Sequence, residues 1–153
     1  MSMSRRVLIK AVATGGALLG LGALLPRLAM AAWAREAFES NEQGAALNAL
    51  YGGETPEISA QVILDAPDIA ENGAVVPVSV STDMAHVESI SIFIESNPAP
   101  LAAQFVIPEG TAADVSTRVR MGKTTNVTAV VKADGKLYSA TKEVKVTIGG
   151  CGG

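Results

Sequence analysis

From Pro56 onward, apolar and polar residues alternate in short runs, most of them closed by Pro, Gly or Asn. A period of two is the signature of a half-buried strand, whose successive side chains point to opposite faces of the sheet. Val76, Val78 and Val80 share one face of the stretch 74–82, and Ile90, Ile92 and Ile94 do so within 87–95. Val115, Thr117, Val119 and Met121 align within 113–121, and Val127, Ala129 and Val131 within 125–132. Apolar runs at 58–64, 101–107 and 137–148 complete the set, the last with Val144, Val146 and Ile148 on one side. Glu71-Asn72-Gly73, Asn97-Pro98-Ala99-Pro100 and Pro108-Glu109-Gly110 separate the runs, and Asp134-Gly135 marks a tight hairpin. Pro77 inside its run marks an edge strand or a bulge, because proline cannot donate to a ladder. About seven strands joined at short intervals predict a mainly β fold, an immunoglobulin-like antiparallel β-sandwich over 54–148. With aromatics at 4 %, its core must be built from Val, Ile, Leu and Ala.

The segment 32–53 has a different period. Trp33, Ala37 and Phe38 lie to one side, and Leu47, Leu50 and Tyr51 recur at spacings of three and four, which is the helical repeat. Ser40, three residues before Gln43, fits a capping box in mid-segment. One bent helix and two short helices both satisfy that pattern. Gly52-Gly53 closes it. Leu47 and Leu50 are assigned to packing on the chain's own domain. Trp33 and Phe38 fit either that role or a partner's surface.

Residues 1–31 read as an export signal. Ser4-Arg5-Arg6-Val7-Leu8-Ile9-Lys10 is a twin-arginine motif, the apolar run 11–25 follows, and Ala29-Met30-Ala31 fits a small-x-small cleavage site. A retained anchor is the alternative, but the run is shorter than the roughly 20 residues a bilayer needs. The expected location is a bacterial periplasm, with no membrane attachment after cleavage. Removing this segment leaves eight basic residues against fifteen acidic ones, a net of −7. Such a balance excludes a nucleic-acid partner, which needs a basic face.

The chain holds one cysteine, Cys151, within Gly149-Gly150-Cys151-Gly152-Gly153. Glycine adds no bulk and samples backbone angles closed to other residues. The segment 149–153 is therefore expected to be a mobile arm on a rigid base, the long final strand. In an oxidising compartment a lone cysteine is either a reactive thiol or an intermolecular bridge. Lys145 is the nearest basic residue in sequence, so positive charge near the thiol is expected to come from a partner's pocket. Three residues from Ile148 to Cys151 reach about 10 Å at most. Other chemistry is poorly supported. His86 is the sole histidine and is expected at the surface. No Cys-x-x-Cys, phosphate-binding or dinucleotide motif occurs. Asp65, Asp68 and Glu71 are assigned to turns and caps rather than to catalysis. A terminal thiocarboxylate carrier ending in Gly-Gly is disfavoured by the export signal and the strand pattern.

Three stretches together resemble the SoxY family, the sulfur-carrying subunits of the bacterial thiosulfate-oxidising Sox system. They are Pro67-Asp68-Ile69-Ala70-Glu71-Asn72-Gly73-Ala74-Val75-Val76-Pro77-Val78, Asn97-Pro98-Ala99-Pro100-Leu101 and the Gly149–Gly153 pentapeptide. The resemblance spans most of the chain from about Phe38 onward, and implies an immunoglobulin-like carrier rather than an enzyme. It implies no cofactor and no metal. Cys151 would carry sulfur intermediates covalently, on an arm given its freedom by Gly149, Gly150, Gly152 and Gly153. SoxZ would be the heterodimer partner. A Sox cytochrome would load the thiol, a hydrolase would remove sulfate, and sulfur-oxidising components would take the remaining sulfur.

Overall fold

In the computed structural model, residues 34–147 are described. The signal segment, Trp33 and the segment 148–153 with Cys151 lie outside them. Two short helices open the described chain, α1 (Arg35–Glu39) and α2 (Gln43–Tyr51). Ser40 does not cap α2, whose N-cap position is Glu42 without a side-chain bond. Instead the Ser40 hydroxyl donates to the Glu36 carbonyl at 2.7 Å and closes α1. The extended backbone at Ser40 turns its side chain back to an unsatisfied carbonyl of the helix behind it. Gly52, in the left-handed region at φ 71°, ends α2 with its N–H on the Asn48 carbonyl.

Nine strands follow: β1 (Glu57–Ile58), β2 (Ile63–Asp65), β3 (Ile69–Ala70), β4 (Val76–Ser81), β5 (Val87–Ile94), β6 (Leu101–Val106), β7 (Asp114–Val119), β8 (Thr125–Ala133) and β9 (Lys136–Val146). They form the predicted sandwich. The larger sheet runs β1-β9-β8-β5-β6, with β3 also paired to β9, and the smaller runs β2-β4-β7. Between the sheets lie Val76, Val78, Val80, Ile90, Ile92, Ile94, Val127, Ala129, Val131 and Val144, all but closed to solvent. These are the positions that the alternation assigns to one face. The β8–β9 hairpin turns through Asp134 and Gly135, both at positive φ (50° and 71°). Those angles match the right-handed twist of the strands it joins.

Two expectations are corrected. The apolar run 58–64 is not one strand. Val62 N–H bonds back to the Ser59 carbonyl, and the turn sends Ile58 to the larger sheet and Ile63 to the smaller. Pro77 marks neither an edge strand nor a bulge. β4 is the middle strand of its sheet, and its register with β7 is unbroken from Val76–Val119 to Ser81–Asp114. Proline is tolerated there because β2 stops at the Asp65–Ser79 pair. Pro77 therefore has a ladder neighbour on one side only.

The helices add a third layer. Ala37 and Ala46 pack on Phe93, Leu101, Val130 and Leu137, on the outer face of the larger sheet, with Phe38, Leu47, Leu50 and Tyr51 around them. Phe38 thus packs on its own domain. This layer explains why β5 is buried without interruption from Ser89 to Ile94. Tyr51 Oη and Ser91 Oγ lie 2.7 Å apart and pin α2 to the sheet. Ser91 is fully buried, so its hydroxyl depends on that partner. Tyr51→Phe is expected to cost about 1–2 kcal/mol, the penalty of leaving a buried hydroxyl unpaired. Urea denaturation of the two proteins checks this, and an unchanged midpoint would contradict it.

Candidate functional site

The site is built where β9 ends. β9 alternates core and solvent to its last turn, with Val144 buried and Val146 half-buried. Its final backbone groups are held from both sides. On one side, Lys145 N–H donates to the Asp68 carbonyl (3.0 Å) and Thr147 N–H to the Ala70 carbonyl (3.1 Å). On the other, Val146 N–H donates to the Thr124 hydroxyl (3.0 Å). β3, which period-two reading cannot detect in so short a segment, supplies the first side by parallel pairing of Ile69–Ala70 with Lys145–Val146. The backbone is thus tied as far as Thr147, four residues before Cys151.

A salt bridge straps the same edge. Lys142 Nζ lies 2.9 Å from Asp68 Oδ1 and also donates to the Ala66 carbonyl. The hydrogen bond from Lys142, then its charge, hold the Asp68 carboxyl below its ordinary value, against a smaller opposing effect of burial. Asp68 is therefore an ion-pair partner rather than a cap. The capping role in this loop belongs to Asn72, whose Oδ1 accepts the Ala74 N–H at 3.0 Å.

Two of the stretches that carry the resemblance, 67–78 and 97–101, converge here. Gly73 accepts the Met121 N–H through its carbonyl at 2.7 Å. Its α-carbon sits so close that an added Cβ would lie 2.3 Å from the Met121 carbonyl oxygen and 2.8 Å from Val146 Cγ1. Asn97, from the Pro-rich turn, donates through Nδ2 to the Arg120 carbonyl at 2.7 Å. The loop after β7 is thereby fixed from two directions. A shallow depression results, lined by Glu71, Asn72, Gly73, Arg120, Met121, Val146 and Thr147, among others. Arg120 is exposed and, among the described residues, has no ion-pair partner. Arg118-Val119-Arg120-Met121 belongs to the SoxY resemblance in the sequence, but nothing in the sequence gives Arg120 a role at this site, because it lies far from the end of β9 in the chain. Cys151, Gly149, Gly150, Gly152 and Gly153 themselves lie outside the described residues. His86 is exposed at positive φ, beside the β8–β9 hairpin. Among the described residues no group of three His, Cys, Asp or Glu side chains could hold a metal ion.

The model of the sulfur oxidation protein SoxY family matches residues 47–151, which is most of the chain and includes the cysteine. The chain belongs to the SoxY family. Among solved structures it is similar to the sulfur carrier protein SoxY from Chlorobium limicola f. thiosulfatophilum. The two are 47 % identical over 67 % of this chain and 94 % of that one, with a TM-score of 0.60. A superoxide reductase (neelaredoxin) from Ignicoccus hospitalis covers 57 % of this chain and 80 % of its own at 20 % identity and a TM-score of 0.50. That likeness shows the sandwich fold alone. A comparison with curated proteins finds no match. SoxY membership makes this chain a component of sulfur oxidation.

Proposed function

We propose that this SoxY chain is a periplasmic sulfur carrier that holds thiosulfate-derived intermediates on Cys151 and presents them to partner enzymes. The observation that carries the reading is the joint one at the end of β9. A family match running through Cys151 coincides with a strand whose backbone is tied down to Thr147. A rigid base with a glycine-flanked thiol beyond it is what a presenting arm requires. The chain is a carrier and not an enzyme, because it supplies the attachment point and leaves each bond change to another protein.

The chemistry balances as follows. The Cys151 thiolate, the reactive form of the side chain, joins the outer sulfur of thiosulfate to give Cys–S–S–SO3⁻. Two electrons leave to a cytochrome. Water then attacks the sulfonate sulfur, releasing sulfate and two protons and leaving a persulfide, Cys–S–S⁻. Export through the twin-arginine route places these steps in the periplasm, and SoxZ is the expected heterodimer partner.

Intact-mass measurement on protein purified from cells grown on thiosulfate tests the proposal. Reductant-labile adducts of sulfur and of thiosulfonate on Cys151 are expected. A reducible covalent dimer as the main form, with no adducts, would favour a disulfide-tethered binding module instead. The narrow arm makes a separate prediction. Gly150→Val leaves the melting temperature unchanged and slows turnover of the loaded protein, because a branched side chain widens what must enter a partner's channel. Equal turnover by that variant would remove the argument for a narrow channel.

A further inference from the structure

Without residues 1–31 the chain carries eight basic residues against fifteen acidic ones, yet the sandwich sorts its charges by sign. Arg118, Arg120 and Lys123 stand where β7 ends and the loop to β8 begins. All three are exposed, and none is in an ion pair among the described residues. Glu71 is the carboxylate that lines the same recess as Arg120. Lys145 and Glu143, two apart on β9 and both exposed, offset each other. The opposite end of β7 has the other sign: Asp114 begins the strand, and with Asp83 and Glu109 it lines a cleft beside His86. Solubility is served by interspersed signs, so it does not account for this order. The cationic end is also preset, because Gly73 and Asn97 hold the backbone of the loop at Met121 and Arg120. Among the described residues no helix covers it; both helices lie on the larger sheet, whereas Arg118 faces out beside Pro77 on the smaller.

We infer that Arg118, Arg120 and Lys123 form a docking collar for the sulfate-releasing hydrolase, and that the mouth of that partner's channel is rimmed with carboxylates. The inference rests on the carrier reading, and from the segment beyond Thr147 it takes only the covalent length. Four residues separate Thr147 from Cys151, a reach of at most about 14 Å. A partner that takes Cys151 into its site must therefore bring its own surface against the end of β9. Arg120 shares a recess with Val146 and Thr147 there, so it falls within that footprint. Cations covered by a neutral or basic surface would lose hydration and gain no partner. Covered by carboxylates, each guanidinium finds acceptors that match its planar fork. Charges at the rim of an interface act chiefly on encounter, by steering the two proteins together, and salt screens them. The carboxylates at the far end of β7 act in the same sense, since an acidic mouth repels that end and turns the collar toward itself.

The test uses the full mature chain, reduced and then loaded chemically. Tetrathionate converts the Cys151 thiolate to Cys–S–S–SO3⁻ and releases thiosulfate, so loading needs no partner enzyme. Sulfate release by the purified hydrolase is followed as kcat and kcat/KM at increasing salt. For the unsubstituted protein kcat/KM is expected to fall as salt rises. Reversing all three cations, in Arg118→Glu/Arg120→Glu/Lys123→Glu, lowers kcat/KM at low salt by about tenfold or more, the lower end of steering effects, and leaves kcat unchanged. The two proteins converge near 1 M salt, where the screening length is about 3 Å. Lys123→Glu alone gives part of the loss, and keeps the test decisive if the triple variant is unstable. Asp114→Lys, a reversal at the far end of β7, changes kcat/KM by less than Lys123→Glu does. Equal kcat/KM in the collar variants and the parent at low salt would overturn the collar. So would a loss that persists at high salt, or a parent rate that rises with salt. No sulfate from the loaded parent at any salt would overturn the carrier reading and the collar with it, so the two failures are distinguishable.

Discussion

Cys151→Ser is expected to abolish sulfur carriage completely while leaving the fold untouched. A serine hydroxyl keeps the shape of the side chain but forms no sulfur–sulfur bond, and it is barely ionised where a thiol is partly thiolate. Every bond in the proposed cycle passes through that one atom, so no residual carriage remains. Among the described residues the backbone ties reach Thr147, four positions before Cys151, and substitutions away from packed or hydrogen-bonded features usually change stability by within about 0.5 kcal/mol. Thermal denaturation should therefore superimpose on the unsubstituted protein. Intact mass after incubation with thiosulfate and the loading cytochrome should show no adduct. Adducts that persist in Cys151→Ser would place the carried sulfur elsewhere and end the proposal.

Gly73→Ala is expected to destabilise the protein by about 3 kcal/mol, combining an overpacked site with a weakened backbone hydrogen bond. The added methyl would lie 2.3 Å from the Met121 carbonyl oxygen and 2.8 Å from Val146 Cγ1. A side chain can rotate away from such a contact, but a backbone carbonyl held in a loop cannot. The loop 120–122 is pinned by the Met121–Gly73 hydrogen bond and by Asn97. Relief of the clash must pull the loop from β9 and loosen the base of the arm. Chemical denaturation is expected to show the loss in stability. Hydrogen exchange should rise at Met121 and Thr147 beyond the global change. A melting temperature within about 1 °C of the parent would mean that the loop yields freely, against its hydrogen bonding, since 1 kcal/mol moves Tm by several degrees at this size. Loading of Cys151 with tetrathionate should remain normal, which separates this structural role from the chemical one.

Much of the molecule was legible in its sequence, and the reasons lie in local physics. Alternation places Val76, Val78, Val80, Ile90, Ile92 and Ile94 on the inner face because strand pleat fixes side-chain direction residue by residue. Asp134-Gly135 declared the hairpin because few residues adopt two consecutive positive φ angles cheaply. The proposed attachment residue was legible because the chain holds a single cysteine, flanked by glycines.

What escaped was set by contacts distant in the chain. β1 and β3 are two residues each and have no period of their own; they exist because the edge of β9 offers unpaired backbone groups. Pro77 reads as an edge signal, yet the length of β2, a different segment, decided that β4 could hold it mid-sheet. Ser40 carries the pattern of a cap for the helix ahead and closes the helix behind, because backbone direction at one residue chooses between them. Arg120 is the clearest case. Its stretch Arg118–Met121 carries only a family resemblance in sequence, and the folding of β7, β9 and the Gly73 loop onto one another is what puts its charge near the end of β9. By itself the sequence determined the strand faces, the turns and the thiol, all fixed by covalent neighbours. Tertiary structure alone decided what surrounds the thiol's base, since that depends on which distant segments pack together.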